Sequence, residues 1–151
     1  MQTRRASLRH AGALAGLLAA SGLLVTSAHA AYNKAAFDAR SVRDALKAIG
    51  PGGLIESREV TLTTLDIAEN GMEVPMAVSI GLAGVRQLLI LVEKNPAALV
   101  AAFAPTDTVE ASVAIRTKMS QTSDVYGVAV MADGRMLFAR KNVKVTAGGC
   151  G

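Results

Sequence analysis

The sequence predicts a mainly β protein, an immunoglobulin-like antiparallel β-sandwich preceded by one N-terminal helix and followed by a flexible Gly-Gly-Cys-Gly arm. Three observations predict it. Apolar residues recur at helical spacing as far as Ile49, they recur at every second position from Ile55 onward, and the one cysteine, Cys150, stands one place from the carboxyl terminus between glycines. The expected organisation is a cleaved export signal over residues 1–30, a helix and sandwich over 31–145, and an arm over 146–151.

The leader reads as follows. Thr3 to Arg9 is basic and carries the pair Arg4-Arg5, Ala11 to Val25 is uncharged and rich in Ala, Leu and Gly, and Ala28-His29-Ala30 fits a small-x-small cleavage site. Cleavage would make Ala31 the first mature residue. The uncharged run is 15 residues, shorter than the roughly 18 of a membrane span. The arginine pair favours the twin-arginine route. A soluble exported protein is expected, with no membrane segment. Cleavage would remove three of the 16 basic residues and none of the 12 acidic ones, so the mature chain is near neutral with its charges mixed. No basic patch with interleaved aromatics points to nucleic acid.

The helix is expected over Asn33 to Ile49, where Val42, Ala45, Leu46 and Ile49 make one apolar stripe, and Gly50-Pro51 supplies a left-handed glycine and a stop. Packing on its own domain is the expected role of that narrow stripe. Alternation then marks half-buried strands, with Val74, Met76, Val78 and Ile80 on one face, and Val109, Ala111, Val113, Ile115, Thr117 and Met119 on another. Turn signals separate them at Glu69-Asn70-Gly71, Gly81 to Gly84, Asn95-Pro96, Pro105-Thr106-Asp107 and Asp133-Gly134, the last read as a type I′ hairpin. About seven such strands suit a sandwich. Pro75 assigns its strand to an edge, or places the proline at the strand's start. Leu88 to Val92 and Ala98 to Phe103 are apolar on both faces, so one face meets the core and the other meets the helix or another protein.

Both histidines, His10 and His29, leave with the leader, which excludes Ser-His-Asp and Cys-His catalysis and the usual zinc sites. No glycine-rich stretch has phosphate-loop or dinucleotide spacing, so no cofactor motif is present. Asp66, Glu69 and Glu73 leave carboxylate chemistry open, although charges around a turn are usually a solvated face. A lone cysteine in an oxidising compartment stays free, pairs with another molecule or carries a group. Gly148, Gly149 and Gly151 give the backbone around Cys150 conformational freedom, and the stretch from Val145 to Cys150 can reach roughly 16 Å. The plain alternative is a frayed end whose cysteine has no role.

With these pieces placed, the sequence resembles the SoxY family, sulfur carriers of the periplasmic thiosulfate-oxidising (Sox) system. The likeness is carried by Asp66-Ile67-Ala68-Glu69-Asn70-Gly71 with Val74-Pro75, by Ile90 to Pro96, by Arg116-Thr117-Lys118-Met119 running into Gln121 to Val125, and by Val143-Lys144-Val145-Thr146 leading to Gly148-Gly149-Cys150-Gly151. The family pattern ends with two glycines after the cysteine, and this chain has Gly151 alone. The resemblance implies a non-enzymatic carrier with covalent sulfur on Cys150, arm flexibility from Gly148, Gly149 and Gly151, and no metal or cofactor of its own. It implies a SoxZ-type partner subunit and three partner enzymes: a haem-containing coupling enzyme, a manganese-dependent sulfate-releasing hydrolase and a molybdenum-haem sulfur dehydrogenase. Two other classes stay open: a periplasmic immunoglobulin-like adaptor with an intermolecular disulfide, and a small carboxylate-dependent hydrolase.

Overall fold

The computed structural model describes residues 33–106 and 111–146. The expected leader and the residues Gly148, Gly149, Cys150 and Gly151 lie outside this range, as does Val109. Among the described residues there are two helices, α1 (Lys34–Asp38) and α2 (Val42–Ile49), and nine strands. These are β1 (Leu54–Glu56), β2 (Val60–Thr64), β3 (Ile67–Ala68), β4 (Val74–Ile80), β5 (Val85–Val92), β6 (Leu99–Phe103), β7 (Ser112–Thr117), β8 (Ser123–Met131) and β9 (Met136–Val145).

The strands form two facing sheets. One runs β1-β9-β8-β5-β6, with β3 also on β9, and the other is β2-β4-β7. Every ladder between long strands is antiparallel, while β1 and β3 run parallel to β9 at its two ends. The alternation in β4 is realised as predicted: Val74, Met76, Val78 and Ile80 are all buried. They meet Leu88, Ile90 and Val92 of β5 and Val125 and Ala129 of β8 in the inter-sheet core. In β7 the same alternation is shallower, because Val113 and Ile115 lie at an outer strand and are half-buried. Pro75 is the second residue of β4, which is the central strand of its sheet, so the proline marks a strand start and not an edge.

The predicted single helix is two. Ser41 explains the division. Its hydroxyl accepts from the Asp44 amide at 3.1 Å and donates to the Asp44 carboxylate at 2.8 Å, which makes it the N-cap of α2. Ala39 between the helices is extended, and its carbonyl accepts the Ala98 amide at 2.9 Å, fastening the helical segment to the β6 end of the large sheet. Asn33 ties the two helices together, accepting from the Ala36 amide and donating to the Ala48 carbonyl. Gly50 ends α2 in an extended conformation, φ 175°, where a left-handed one is expected, and its amide still donates to Leu46. Ser41→Ala removes the cap acceptor, and we expect it to cost about 1 kcal/mol, seen as a lower denaturant midpoint with an unchanged slope.

The helices cover the second face of the large sheet. Ala36, Val42, Ala45 and Leu46 pack on Leu89, Leu91, Val128, Val130 and Met136, so Leu88 to Val92 is buried on both sides within the chain. Of the two covers left open for Leu88 to Val92, the helix or another protein, the chain's own helices supply it: α1 and α2 together cover β5 and the start of β6. Ala98 and Leu99 are buried likewise, and only the far end of β6 is open, with Ala102 exposed and Phe103 37 % exposed.

The β8–β9 turn also differs from the type I′ reading. Asp133 keeps a negative φ and only Gly134 is left-handed, at φ 89°. The Gly134 amide donates to Met131 and the Met131 amide to Arg135, giving a three-residue loop with a glycine bulge. Asp133 stabilises this loop by accepting from the Arg135 amide and guanidinium, and these two contacts hold its carboxyl below the ordinary aspartate range.

Candidate functional site

The chain beyond Thr146 leaves from one end of the sandwich, and four short stretches build that end. β9 delivers Val143 to the core and exposes Lys144 and Thr146 by simple alternation. On one side β9 pairs with β8, and the Val145 amide also donates to the Thr122 hydroxyl at 3.0 Å. On its other side β3 runs beside it in parallel, the Lys144 amide donating to Asp66 at 2.9 Å and the Thr146 amide to Ala68 at 3.1 Å. Lys141 reaches across to the Thr64 carbonyl at 2.8 Å and the Asp66 carboxylate at 3.0 Å, closing the gap between β9 and the end of β2.

The turn after β3 is equally anchored. The Asn70 side chain accepts the Met72 amide at 2.9 Å, and the Gly71 carbonyl accepts the Met119 amide at 2.7 Å. Gly71 lies so close to its neighbours that a Cβ there would stand 2.3 Å from the Met119 carbonyl oxygen and 3.0 Å from Cγ1 of Val145. Asn95 adds a further tie, donating to the Lys118 carbonyl at 2.9 Å, and the Lys94 amide donates to Ser123 at 3.0 Å. The stretches 66–71, 94–95, 118–123 and 143–146, far apart in sequence, are thus hydrogen-bonded into one platform.

Of the predicted site residues, Cys150 and the glycines Gly148, Gly149 and Gly151 lie beyond the described range. The platform brings together the residues just before them. Asp66 is paired with Lys141 and its side chain is 85 % exposed, and Glu69 and Glu73 are exposed around the turn. Among the described residues no group of three His, Cys, Asp or Glu side chains could hold a metal ion.

Sequence reasoning missed Ile67 and Met72. They are 54 % and 60 % exposed, the two most exposed large apolar side chains among the described residues, and both lie on the platform. The available signal was an isoleucine and a methionine in an otherwise polar turn. Two surface grooves lie elsewhere. One of about 550 Å³ on the small sheet is lined by Thr63, Leu65, Pro75, Ala77, Ala114 and Arg116. The other, about 480 Å³, lies beside α2 and includes Arg43, Lys47, Glu93 and Tyr126. Near the second groove, the Tyr126 phenol and the nearby Asp124 carboxylate hold Arg140 above the usual arginine range.

Comparison with known proteins locates this arrangement in a family. The profile described as "Sulfur oxidation protein SoxY" matches residues 46–150, the greater part of the chain, from within α2 through Cys150. The solved structure of the sulfur carrier protein SoxY from Chlorobium limicola f thiosulfatophilum is 29 % identical, covers 70 % of this chain and 96 % of that one, and superposes with a TM-score of 0.64. A superoxide reductase (neelaredoxin) variant from Ignicoccus hospitalis shares the fold alone, at 13 % identity and TM-score 0.54 over 62 % of this chain and 94 % of that one. A putative superoxide reductase from Thermotoga maritima does so at 8 % identity with the same TM-score of 0.54 and the same coverage, 62 % and 94 %. A comparison with curated protein sequences returns no match. With its sandwich and its terminal cysteine both inside the matched segment, the chain belongs to the SoxY family.

Proposed function

We propose that this protein is an exported, periplasmic sulfur carrier which holds thiosulfate-derived sulfur covalently on Cys150 while partner enzymes transform it. The observation that carries this reading is that the family match runs through Cys150, the one thiol of the chain. The similarity to a sulfur carrier over nearly the whole of that protein's length supports it.

The chemistry assigned to Cys150 has four steps. The thiolate and the outer sulfur of thiosulfate form an S–S bond with loss of two electrons, which pass to the haem of a coupling enzyme. The product is a cysteine S-thiosulfonate. Water then attacks the terminal sulfonate sulfur in a hydrolase, releasing sulfate and leaving the persulfide, with two protons passing to solvent. A sulfur dehydrogenase then oxidises the outer persulfide sulfur to a sulfonate, accepting six electrons while three waters supply the oxygens and six protons pass to solvent. A second hydrolysis releases that sulfonate as sulfate and frees the thiol. Throughout, the carrier supplies the thiol and its presentation, and the catalytic groups belong to the partners. Thiolate character is what the first step needs, since the thiolate and not the thiol is the nucleophile.

A SoxZ-type subunit is the proposed constant partner. Leu88 to Val92 is unavailable to it, so of the two doubly apolar strands only Ala102 and Phe103 at the end of β6 remain accessible. Intact mass of the protein from thiosulfate-grown cells tests the function. We expect additions of sulfur, sulfonate or thiosulfonate that map to Cys150. A disulfide-linked dimer as the sole modified form would replace the carrier reading with the adaptor one.

A further inference from the structure

We infer that Met72 is a reversible oxidation site, a thioether whose conversion to the sulfoxide slows turnover of the adduct on Cys150. The site itself stands on geometry, and its effect on turnover rests on the carrier reading. The first ground is selectivity. Outside the expected leader the chain has five methionines, Met72, Met76, Met119, Met131 and Met136. Four of them are at most 4 % exposed and belong to the two cores, whereas Met72 is 60 % exposed and belongs to neither. Thioether oxidation requires the oxidant to reach the sulfur, so packing shields the four core sulfurs and leaves Met72 open.

The second ground is the chemistry of the loaded state. As the S-thiosulfonate, Cys150 has no thiolate to intercept an oxidant, and with one cysteine and no tryptophan in the chain the thioethers become its most readily oxidised side chains. The step is an oxygen transfer from a hydroperoxide. The sulfur lone pair attacks one peroxide oxygen, the O–O bond breaks as the S–O bond forms, and the other oxygen leaves as water after proton transfer. Sulfur loses two electrons and the peroxide gains them. A thiol-dependent sulfoxide reductase reverses the change, two thiols giving up two electrons to form a disulfide and water.

The third ground is position. The Met72 amide donates to the Asn70 side chain at 2.9 Å, and the neighbouring Gly71 packs against Val145, the last residue of β9. The backbone under Met72 is therefore fixed beside the root of the arm, and oxidation alters the side chain without opening a core. A sulfoxide places a polar oxygen and a chiral centre where an apolar, polarisable sulfur stood. An enzyme that draws Cys150 into its site passes the arm beside this turn, so the change is felt at the step that transfers the adduct.

The test uses the full mature chain with Cys150 loaded as the S-thiosulfonate, treated with graded hydrogen peroxide and mapped by peptide mass. We expect the sulfoxide to form at Met72 about tenfold or more faster than at any core methionine, and to be removed by paired sulfoxide reductases, one for each epimer. With peroxide removed, the sulfate-releasing hydrolase is the probe enzyme, reading sulfate against carrier concentration. We expect KM of the oxidised carrier to rise about threefold or more, as for loss of one methylene-sized apolar contact. Reductase treatment should restore it, with kcat and Tm unchanged throughout. Met72→Leu keeps an apolar side chain of similar size without the oxidisable sulfur, and its KM is expected to be the same before and after peroxide. Core methionines oxidised as fast as Met72 overturn the site. An unchanged KM after full oxidation of Met72, or an equal rise in Met72→Leu, overturns its effect on turnover. If the loaded protein is not turned over even before peroxide, the carrier reading fails and that effect falls with it, while the oxidation map still decides the site.

Discussion

Replacing Cys150 with serine is expected to abolish sulfur carriage completely while leaving the fold intact. A serine hydroxyl is essentially un-ionised at neutral pH, so it can neither attack sulfur as a thiolate does nor leave as one. No second thiol exists in the chain to substitute. The change is one atom at the next-to-last position, and the expected stability difference is within about 0.5 kcal/mol, as for surface substitutions generally. The measurement is thiosulfate-dependent activity in a reconstituted system containing either protein, together with their melting temperatures. Full activity of the serine variant would end the carrier reading. Lost activity with a large fall in Tm would instead make Cys150 a structural residue.

A large effect on stability is expected at Gly127, in the middle of β8. Its missing side chain faces the small sheet, where an added Cβ would stand 2.7 Å from Cγ2 and 3.2 Å from Cγ1 of Val78. Val78 has nowhere to go: it is fully buried, stiff at χ1, and paired with Leu62 on one side and Val113 on the other. Gly127→Ala should therefore cost about 1–3 kcal/mol by overpacking, against the gain of about 0.4–1 kcal/mol that a glycine-to-alanine change gives at an unstrained site. The double variant Gly127→Ala/Val78→Ala tests the cause. If the clash is the mechanism, the two changes compensate, and the coupling measured by denaturant unfolding is favourable. Simple additivity would rule out the steric explanation.

Much of the sandwich was legible because burial imposes a period of two wherever one strand face meets a core, as in Val74 to Ile80. The short strands were not. β1 has three exposed residues and β3 has two residues, so neither carries a period; both lie at the ends of the β9 edge opposite β8. The division of the helix turned on a capping geometry at Ser41 that apolar spacing does not register. The doubly apolar β5 was readable as covered, but what covers it depends on the extended Ala39 and its bond to Ala98, a contact between residues 59 apart. For the site, Cys150 was visible from its position alone. The platform was not, since its four stretches meet only through the topology, and Ile67 and Met72 look like ordinary turn residues until their exposure is known.

The double attachment of β9 has a mechanical consequence. The strand is gripped by β8 along almost its whole length and by β3 beside its last residues, and a pull on the C-terminus acts along the strand axis. Such a load falls in shear, on many hydrogen bonds at once, and not on one bond at a time as in peeling an unpaired end. A load on Thr146 along that axis must break the β8 and β3 hydrogen bonds together before β9 leaves the sheet.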